Sequence, residues 1–196
     1  MIPLPASFFA RTDVLQIARD LLGKGLWLRT ASGFKGGMIT ETEAYSANND
    51  RASHAAGGRR TARNEVMYGE AGHAYVYRCY GIHLLLNVVT APAGRAEAVL
   101  IRAIKPFDLE EAPRVAAGPG KLSRWLGIES THNGSPLSGP DLLITEGLQI
   151  AQEDVIFTPR IGVAYAGSDA FLPYRCYIRG ELSVSRPLYP KYPNHI

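Results

Sequence analysis

Between residues 73 and 104 the chain carries three runs rich in aromatic and β-branched residues, HAYVYRCY, IHLLLNVVTA and EAVLIRAI, with only Gly81 and residues 92–96 between them. Such runs punctuated by turn signals read as neighbouring strands of one antiparallel sheet. Two positions break the apolar pattern. Asn87 lies among Leu85, Leu86, Val88 and Val89, and Arg102 among Leu100, Ile101, Ala103 and Ile104. Both read as buried polar groups that need partners.

The flanking sequence adds to this sheet. Residues 24–30 and 34–45 form two extended runs separated by Ala31, Ser32 and Gly33, a hairpin signature. Upstream, Thr12 and Asp13 look like a cap, the stripe Val14, Leu15, Ile17, Ala18, Leu21 and Leu22 predicts a helix, and Gly23 marks its stop. Gly118, Pro119 and Gly120 precede a second helical pattern over 121–126. Later strands are expected over 141–145, 161–165, 175–179 and 182–185, and the Pro-rich residues 187–196 read as a surface tail. At 196 residues, with 46% hydrophobic and 20% charged residues and no repeat or linker, the chain reads as one mixed α+β domain over 1–196.

The second run of the hairpin ends in ETEAY. A period of two puts Ile39, Glu41, Glu43 and Tyr45 on one face, so a carboxylate is expected beside apolar neighbours. The polar stretch 46–64 that follows is longer than an ordinary connection. It holds Arg51, Arg59, Arg60, Arg63 and His54, with no acidic residue between Arg51 and Arg63. The net charge, 21 − 18 = +3, is too small to imply a polyanion partner, but this local basic patch survives it.

Each of these features has two readings. Tyr45, Tyr75, Tyr77 and Tyr80 can be sheet aromatics, or they can stack a planar base beside a phosphate-binding loop. Alternation puts Tyr75 and Tyr77 on one face and leaves Tyr80 at the turn before Gly81, where a rim aromatic can act as a wedge. Glu43 is either an exposed strand carboxylate or a general base with a raised pKa acting on water. Arg102 is either the partner of a buried carboxylate or the group that orients a catalytic one. His54 is a loop histidine on either reading.

Other chemistry lacks support. The sequence has no GKS or GKT phosphate loop, HExxH, GxSxG or paired CxxC. Cys79 and Cys176 have neither zinc spacing nor the density of a disulfide scaffold, so two reduced thiols are expected. With no leader pattern and no window of about 18 apolar residues, the expectation is a soluble intracellular protein, in the cytoplasm or nucleoid if bacterial, with no membrane partner.

The segments LLGKGLWLR, ETEAYSANNDRASHAAGGRRTARN, HAYVYRCYGIHLLLNVV, VLIRAIKP, GPGKL, RIGV and YIRG together resemble, in order, the alkyladenine (3-methyladenine or methylpurine) DNA glycosylases of the eukaryotic type. The resemblance implies a curved, mostly antiparallel, open-barrel-like sheet with flanking helices, and removal of damaged purines from double-stranded DNA without a cofactor or metal. It assigns Glu43 as the general base that activates water, and Arg102, with the backbone carbonyl of Ile161, as the groups that position it. Tyr45 would stack on one face of the extruded base, with His54 and Tyr77 on the other. Tyr80 would fill the gap in the duplex, and Asn87 would crowd the 2-amino group of guanine. Arg59, Arg60 and Arg63 are expected to bind DNA. A monofunctional, monomeric enzyme follows, acting on 3-methyladenine, 7-methylguanine, hypoxanthine and ethenoadenine. Residues 107–117 and 130–154 fit the family pattern poorly. Two alternatives stand beside this: a non-catalytic nucleic-acid-binding module, and a hydrolase of free nucleosides.

Overall fold

The computed structural model describes residues 1–47 and 49–188. Two helices lead the chain, α1 (Ala6–Phe9) and α2 (Val14–Asp20), the second capped by Asp13, whose carboxylate accepts the Gln16 N–H at 3.0 Å. Strands β1 (Gly25–Thr30), β2 (Gly33–Tyr45), β3 (Ala74–Cys79), β4 (His83–Thr90) and β5 (Glu97–Pro106) follow. Helix α3 (Pro119–Leu126) precedes three short strands, β6 (Leu142–Thr145), β7 (Val155–Thr158) and β8 (Arg175–Ile178). The fold is α+β on a curled antiparallel sheet, as the sequence led us to expect.

The main strand order is β3-β4-β5-β2-β1-β6. The 13-residue β2 organises it. Its first half pairs with β1, its second half (Glu41–Glu43) with β8, and its other edge with β5 along most of its length. Strand β7 extends the fork through β8. On one face α2 and α3 pack with Leu26, Ile39, Val99, Ile101 and Ile104 into the main apolar core.

The pairing of β2 with β5 is interrupted twice. Ile39 opposes Ile104, Glu41 opposes Ala103, and Thr42 opposes Ile101, so Thr40 and Arg102 are each an extra residue, one in each strand. The two bulges cancel in register, and beyond them Glu43 opposes Leu100. Each one shifts its strand's alternation by a residue. Ile39 therefore lies in the core with Ala44, whereas Glu41, Glu43 and Tyr45 face away from it. This corrects the expectation of one face shared from Ile39 to Tyr45, which assumed an unbroken period of two.

Two of the expected strands are absent. Residues 161–165 form a turn leading into a 3-10 segment (Ala164–Phe171), and residues 182–185 are irregular. Their backbone groups bond to side chains of β2 instead of to a neighbouring strand. The Ile161 N–H donates to Glu43 at 2.7 Å, the Ser185 N–H to Glu41 at 2.7 Å, and Ser183 O accepts from Thr40 Oγ1 at 2.8 Å. Conversely, β7 carried no alternation that would mark it out, being bordered by the irregular 130–154 stretch. The expected tail lies outside the described residues from position 189 onward. Among the described residues no helix is long and apolar enough to cross a membrane.

Candidate active site

Glu43 and Glu41 are both fully buried, two residues apart on the polar face of β2. Their partners differ. Glu43 Oε1 accepts the Ile161 N–H at 2.7 Å and lies 3.2 Å from Arg102 Nη1, and Oε2 accepts the Tyr45 hydroxyl at 2.9 Å. A carboxylate has about four acceptor positions. With the Ile161 N–H and the Arg102 ion pair on Oε1 and one donor on Oε2, capacity for one further donor remains on Oε2.

The bulge places Arg102 between the two carboxylates. Its Nε donates to Glu41 Oε1 at 2.8 Å while Nη1 faces Glu43. Burial opposes the charge on Arg102, but the attraction of Glu43 and Glu41 outweighs it and raises its pKa, so the guanidinium stays protonated. Tyr45 is held neutral by burial, reinforced by the negative charge of Glu43, and remains a donor. Arg160, given no role in the sequence reading although it opens the RIGV segment, sits under this unit. Its guanidinium lies 4.8 Å from the centre of the Tyr45 ring and makes a two-pronged ion pair with Asp50, at 2.6 and 2.7 Å.

Beside the carboxylates stands an aromatic cluster. Tyr75 and Tyr77 share a face of β3 with ring centres 5.3 Å apart, and the loop residue His54 meets Tyr77 edge-on at 4.6 Å. His54 Nδ1 is 2.8 Å from the Tyr75 hydroxyl. Burial, with Arg63 and Arg59 nearby, lowers the His54 pKa to about 4, so the imidazole is neutral at physiological pH. Asn87 is buried at the back, donating to Tyr75 O at 3.0 Å, which answers the question of its partner. A cleft of about 30 Å³ bounded by Tyr45, His54, Tyr75, Tyr77 and Asn87 adjoins a much larger groove of about 1030 Å³.

That groove brings most of the expected site residues together: Glu43, Tyr45, His54, Tyr77, Tyr80, Arg102 and Ile161 all line it. Its charge is one-sided. Among the described residues its lining holds eight Lys or Arg side chains and a single carboxylate, that of Glu43. Arg51, Arg59 and Arg63 come from the 46–64 loop. Arg114, Lys121, Arg124 and Arg186 form a second bank that the sequence reading did not find; Arg186 is separated from the other three by residues 125–185, which hold several acidic residues. The GPGKL segment was the available signal for Lys121. Arg60 is not part of the lining. It pairs with Glu65 and lies over the Tyr68 ring at 4.7 Å.

Tyr80 occupies the tip of the β3–β4 hairpin and is 87% exposed. Tyr80 and Gly81 both have positive φ, 49° and 73°, and the Ile82 N–H bonds back to Cys79 O at 3.2 Å, within the three-residue loop between the paired Cys79 and His83. A tyrosine in the left-handed region is uncommon and costs backbone energy. The turn thereby holds a large apolar ring out into the groove mouth. Arg63 braces the hairpin through Arg78 O at 3.2 Å. Among the described residues no group of three or more His, Cys, Asp or Glu is placed to hold a metal ion.

A buried, arginine-held carboxylate on the floor of a cationic groove with aromatic walls suits a hydrolase whose substrate presents a planar group on a polyanionic strand. Comparison with known proteins makes this specific. A family model described as methylpurine-DNA glycosylase (MPG) matches residues 7–182. The chain is 46% identical over 194 residues to a protein of Carboxydothermus hydrogenoformans, covering 93% of this chain and 98% of the relative. It is 42% identical over 190 residues to one of Bdellovibrio bacteriovorus, covering 93% and 98%, and 42% identical over 195 residues to one of Methanocella arvoryzae, covering 93% and 96%. All three relatives carry the name "Putative 3-methyladenine DNA glycosylase". The chain belongs to the methylpurine-DNA glycosylase family, a family of DNA repair enzymes that hydrolyse N-glycosyl bonds.

Proposed function

We propose that this protein, acting as a monomer of one domain, extrudes alkylated and deaminated purines from duplex DNA and hydrolyses the bond between the base and C1′. The substrates in this reading are 3-methyladenine, 7-methylguanine, hypoxanthine and ethenoadenine. The observation that carries it is Glu43: a buried carboxylate held by Arg102, the Ile161 N–H and Tyr45, with acceptor capacity left on Oε2, at the floor of a groove whose Lys and Arg side chains outnumber this single carboxylate.

In the reaction, water bound at Oε2 gives a proton to Glu43 as its oxygen bonds to C1′, and the C1′–N bond breaks with its electron pair leaving on the purine. A cationic alkylated purine departs neutral. A neutral lesion such as hypoxanthine takes up a proton as it leaves. Arg102 stays cationic beside Glu43, 3.2 Å from Oε1, and holds it in place. Tyr45 faces His54 and Tyr77 across the extruded base, Asn87 narrows the back of the cleft against the guanine 2-amino group, and Tyr80 enters the stack. Extrusion costs a few kcal/mol, least where pairing is already weak, and stacking returns about 1–3 kcal/mol per aromatic contact. The cationic banks hold the phosphates on either side.

The test is incubation with duplexes carrying a single hypoxanthine or 3-methyladenine, in EDTA, followed by alkali. Strand breaks that appear only after alkali support hydrolysis by water. Breaks before alkali would instead implicate an amine nucleophile, with Lys121 in the groove the first suspect, and intact strands throughout would favour a binding module.

A further inference from the structure

Glu41 has no part in the reaction above, yet its surroundings are more elaborate than those of Glu43. Oε1 accepts Arg102 Nε at 2.8 Å, Arg175 Nε at 2.6 Å and Ser185 Oγ at 2.7 Å, and Oε2 accepts the Ser185 N–H at 2.7 Å. Arg175, from β8, is fully buried and fixed in turn by Thr158 Oγ1 at 3.2 Å and Leu188 O at 2.7 Å. Ser185 also accepts from Arg102, Nη2 to Oγ at 3.2 Å. Every polar edge of Arg102 that does not face Glu43 is thus tied to Glu41 or to Ser185.

We propose that Glu41, anchored by Arg175 and Ser185, is a positioning residue for catalysis: it fixes Arg102 so that Nη1 meets Glu43, and leaves Glu43 as the one carboxylate that takes the proton of water. The inference rests on the reading of Glu43 as the base.

The geometry supplies both halves of the argument. A lone arginine between two buried carboxylates would leave one negative charge uncompensated, and the carboxylates would compete for the proton. Arg175 removes that competition by making the group neutral, two carboxylates against two guanidiniums. Burial alone would raise the Glu41 pKa, but Arg102, Arg175 and both bonds from Ser185 outweigh it and lower it. Glu41 is therefore ionised throughout the working pH range. The other titratable or charged groups acting on Glu43 are Tyr45 from β2, Tyr77 from β3, and Arg160 and Tyr165 from the segment after β7. On Glu41 the remaining one is the Cys176 thiol of β8, whose own pKa burial pushes up to about 12. None of these supplies a second proton acceptor next to Arg102.

The experiment compares Glu41→Gln, Ser185→Ala and Glu43→Gln with the wild type on a hypoxanthine duplex, measuring single-turnover release across pH and lesion-duplex affinity. Glu41→Gln is expected to lose about 10- to 100-fold in rate with affinity within about 3-fold, since a misplaced catalytic group costs that much without loss of binding. Its acidic limb should move to lower pH, because a negative charge that shares Arg102 with Glu43 has been removed. Ser185→Ala, which keeps the backbone bond to Glu41, should shift rate and limb in the same sense by smaller amounts, and it serves if Glu41→Gln does not fold. A folded Glu41→Gln or Ser185→Ala protein with wild-type rate and an unmoved limb would overturn the proposal. Release by Glu43→Gln at the wild-type rate would overturn the reading of the base on which it stands, and an inactive Glu43→Gln beside an unaffected Glu41→Gln would overturn the positioning role alone.

Discussion

The β2–β5 pair is buried on both faces, and the two faces are built from opposite chemistry. Towards α2 and α3 it presents Ile39, Ala44, Val99, Ile101 and Ile104, all inaccessible to solvent. On the opposite face it presents Glu41 and Glu43, at 0% exposure, and Arg102, at 5%, of which Glu43 and Arg102 line the groove. On the first face any apolar group of the right volume keeps the contact. On the second, each polar group is tolerable only because a named partner satisfies it, and removing one partner strands the other. The paired bulges at Thr40 and Arg102 make the division possible, since they pass one continuous ladder from a regular apolar register into one that aims charge at the groove. Stability and chemistry should therefore separate by face.

The largest separation should come from Ile101→Ala. We expect a loss of about 2–5 kcal/mol in denaturant unfolding, as for other buried large-to-small changes, with base release per folded molecule within about 2-fold of wild type. A comparable fall in release would show that the faces are coupled. At the groove mouth Tyr80→Ala should do the reverse. Stability should stay within about 0.5 kcal/mol, because the ring has few contacts to lose, while lesion-duplex binding weakens by about 1–3 kcal/mol. Unchanged extrusion of a fluorescent base analogue would remove the wedge role.

Smaller effects sharpen the same contrast on the groove rim. Arg63→Gln should lower the slope of log affinity against log salt by about 1, whereas Arg60→Gln, already paired with Glu65, should leave it unchanged. Equal slopes for the two variants would mean that the groove lining does not mark the DNA contacts. The same rim carries a pH effect at His54. Its folded pKa of about 4 lies below the unfolded value near 6.5, so between those values the unfolded chain binds the extra proton. That contribution to stability is complete above about pH 6.5 and is lost as pH falls towards 4. A His54 ring-proton titration by NMR with a midpoint near 6.5 would contradict the burial that lowers it.

Much of this arrangement was legible in the sequence, for reasons that differ by region. The runs over 73–104, as neighbouring strands, and the ETEAY segment were legible as strands because their periodicity and turn signals are local; the order of the whole sheet was not. Asn87 and Arg102 stood out as polar residues inside apolar runs, and both are buried with partners. The bulges were invisible, since nothing in the residue pattern distinguishes Thr40 or Arg102 as an extra residue. The error at Ile39 followed from that. Residues 161–165 and 182–185 look like strands because their side chains alternate, but their N–H groups bond to buried glutamates 118 and 144 positions away. Arg160, Arg175 and the Arg114–Arg186 bank were missed for the same reason: their roles depend on contacts between distant segments. The family resemblance, not periodicity, pointed to Glu43 over Glu41. What separates the two in the structure is that Glu41 is enclosed by Arg102, Arg175 and Ser185 while Glu43 lines the groove.

The most direct test of the division is Glu43→Gln measured twice on the same preparation, by denaturant unfolding and by single-turnover release from a 3-methyladenine or hypoxanthine duplex. The account predicts lesion-duplex binding close to wild type, a folded protein, and a rate lower by about 10²- to 10⁴-fold, the usual worth of a positioned general base. A folded Glu43→Gln protein that releases the base at the wild-type rate would contradict it, and would move the chemistry off the polar face of β2.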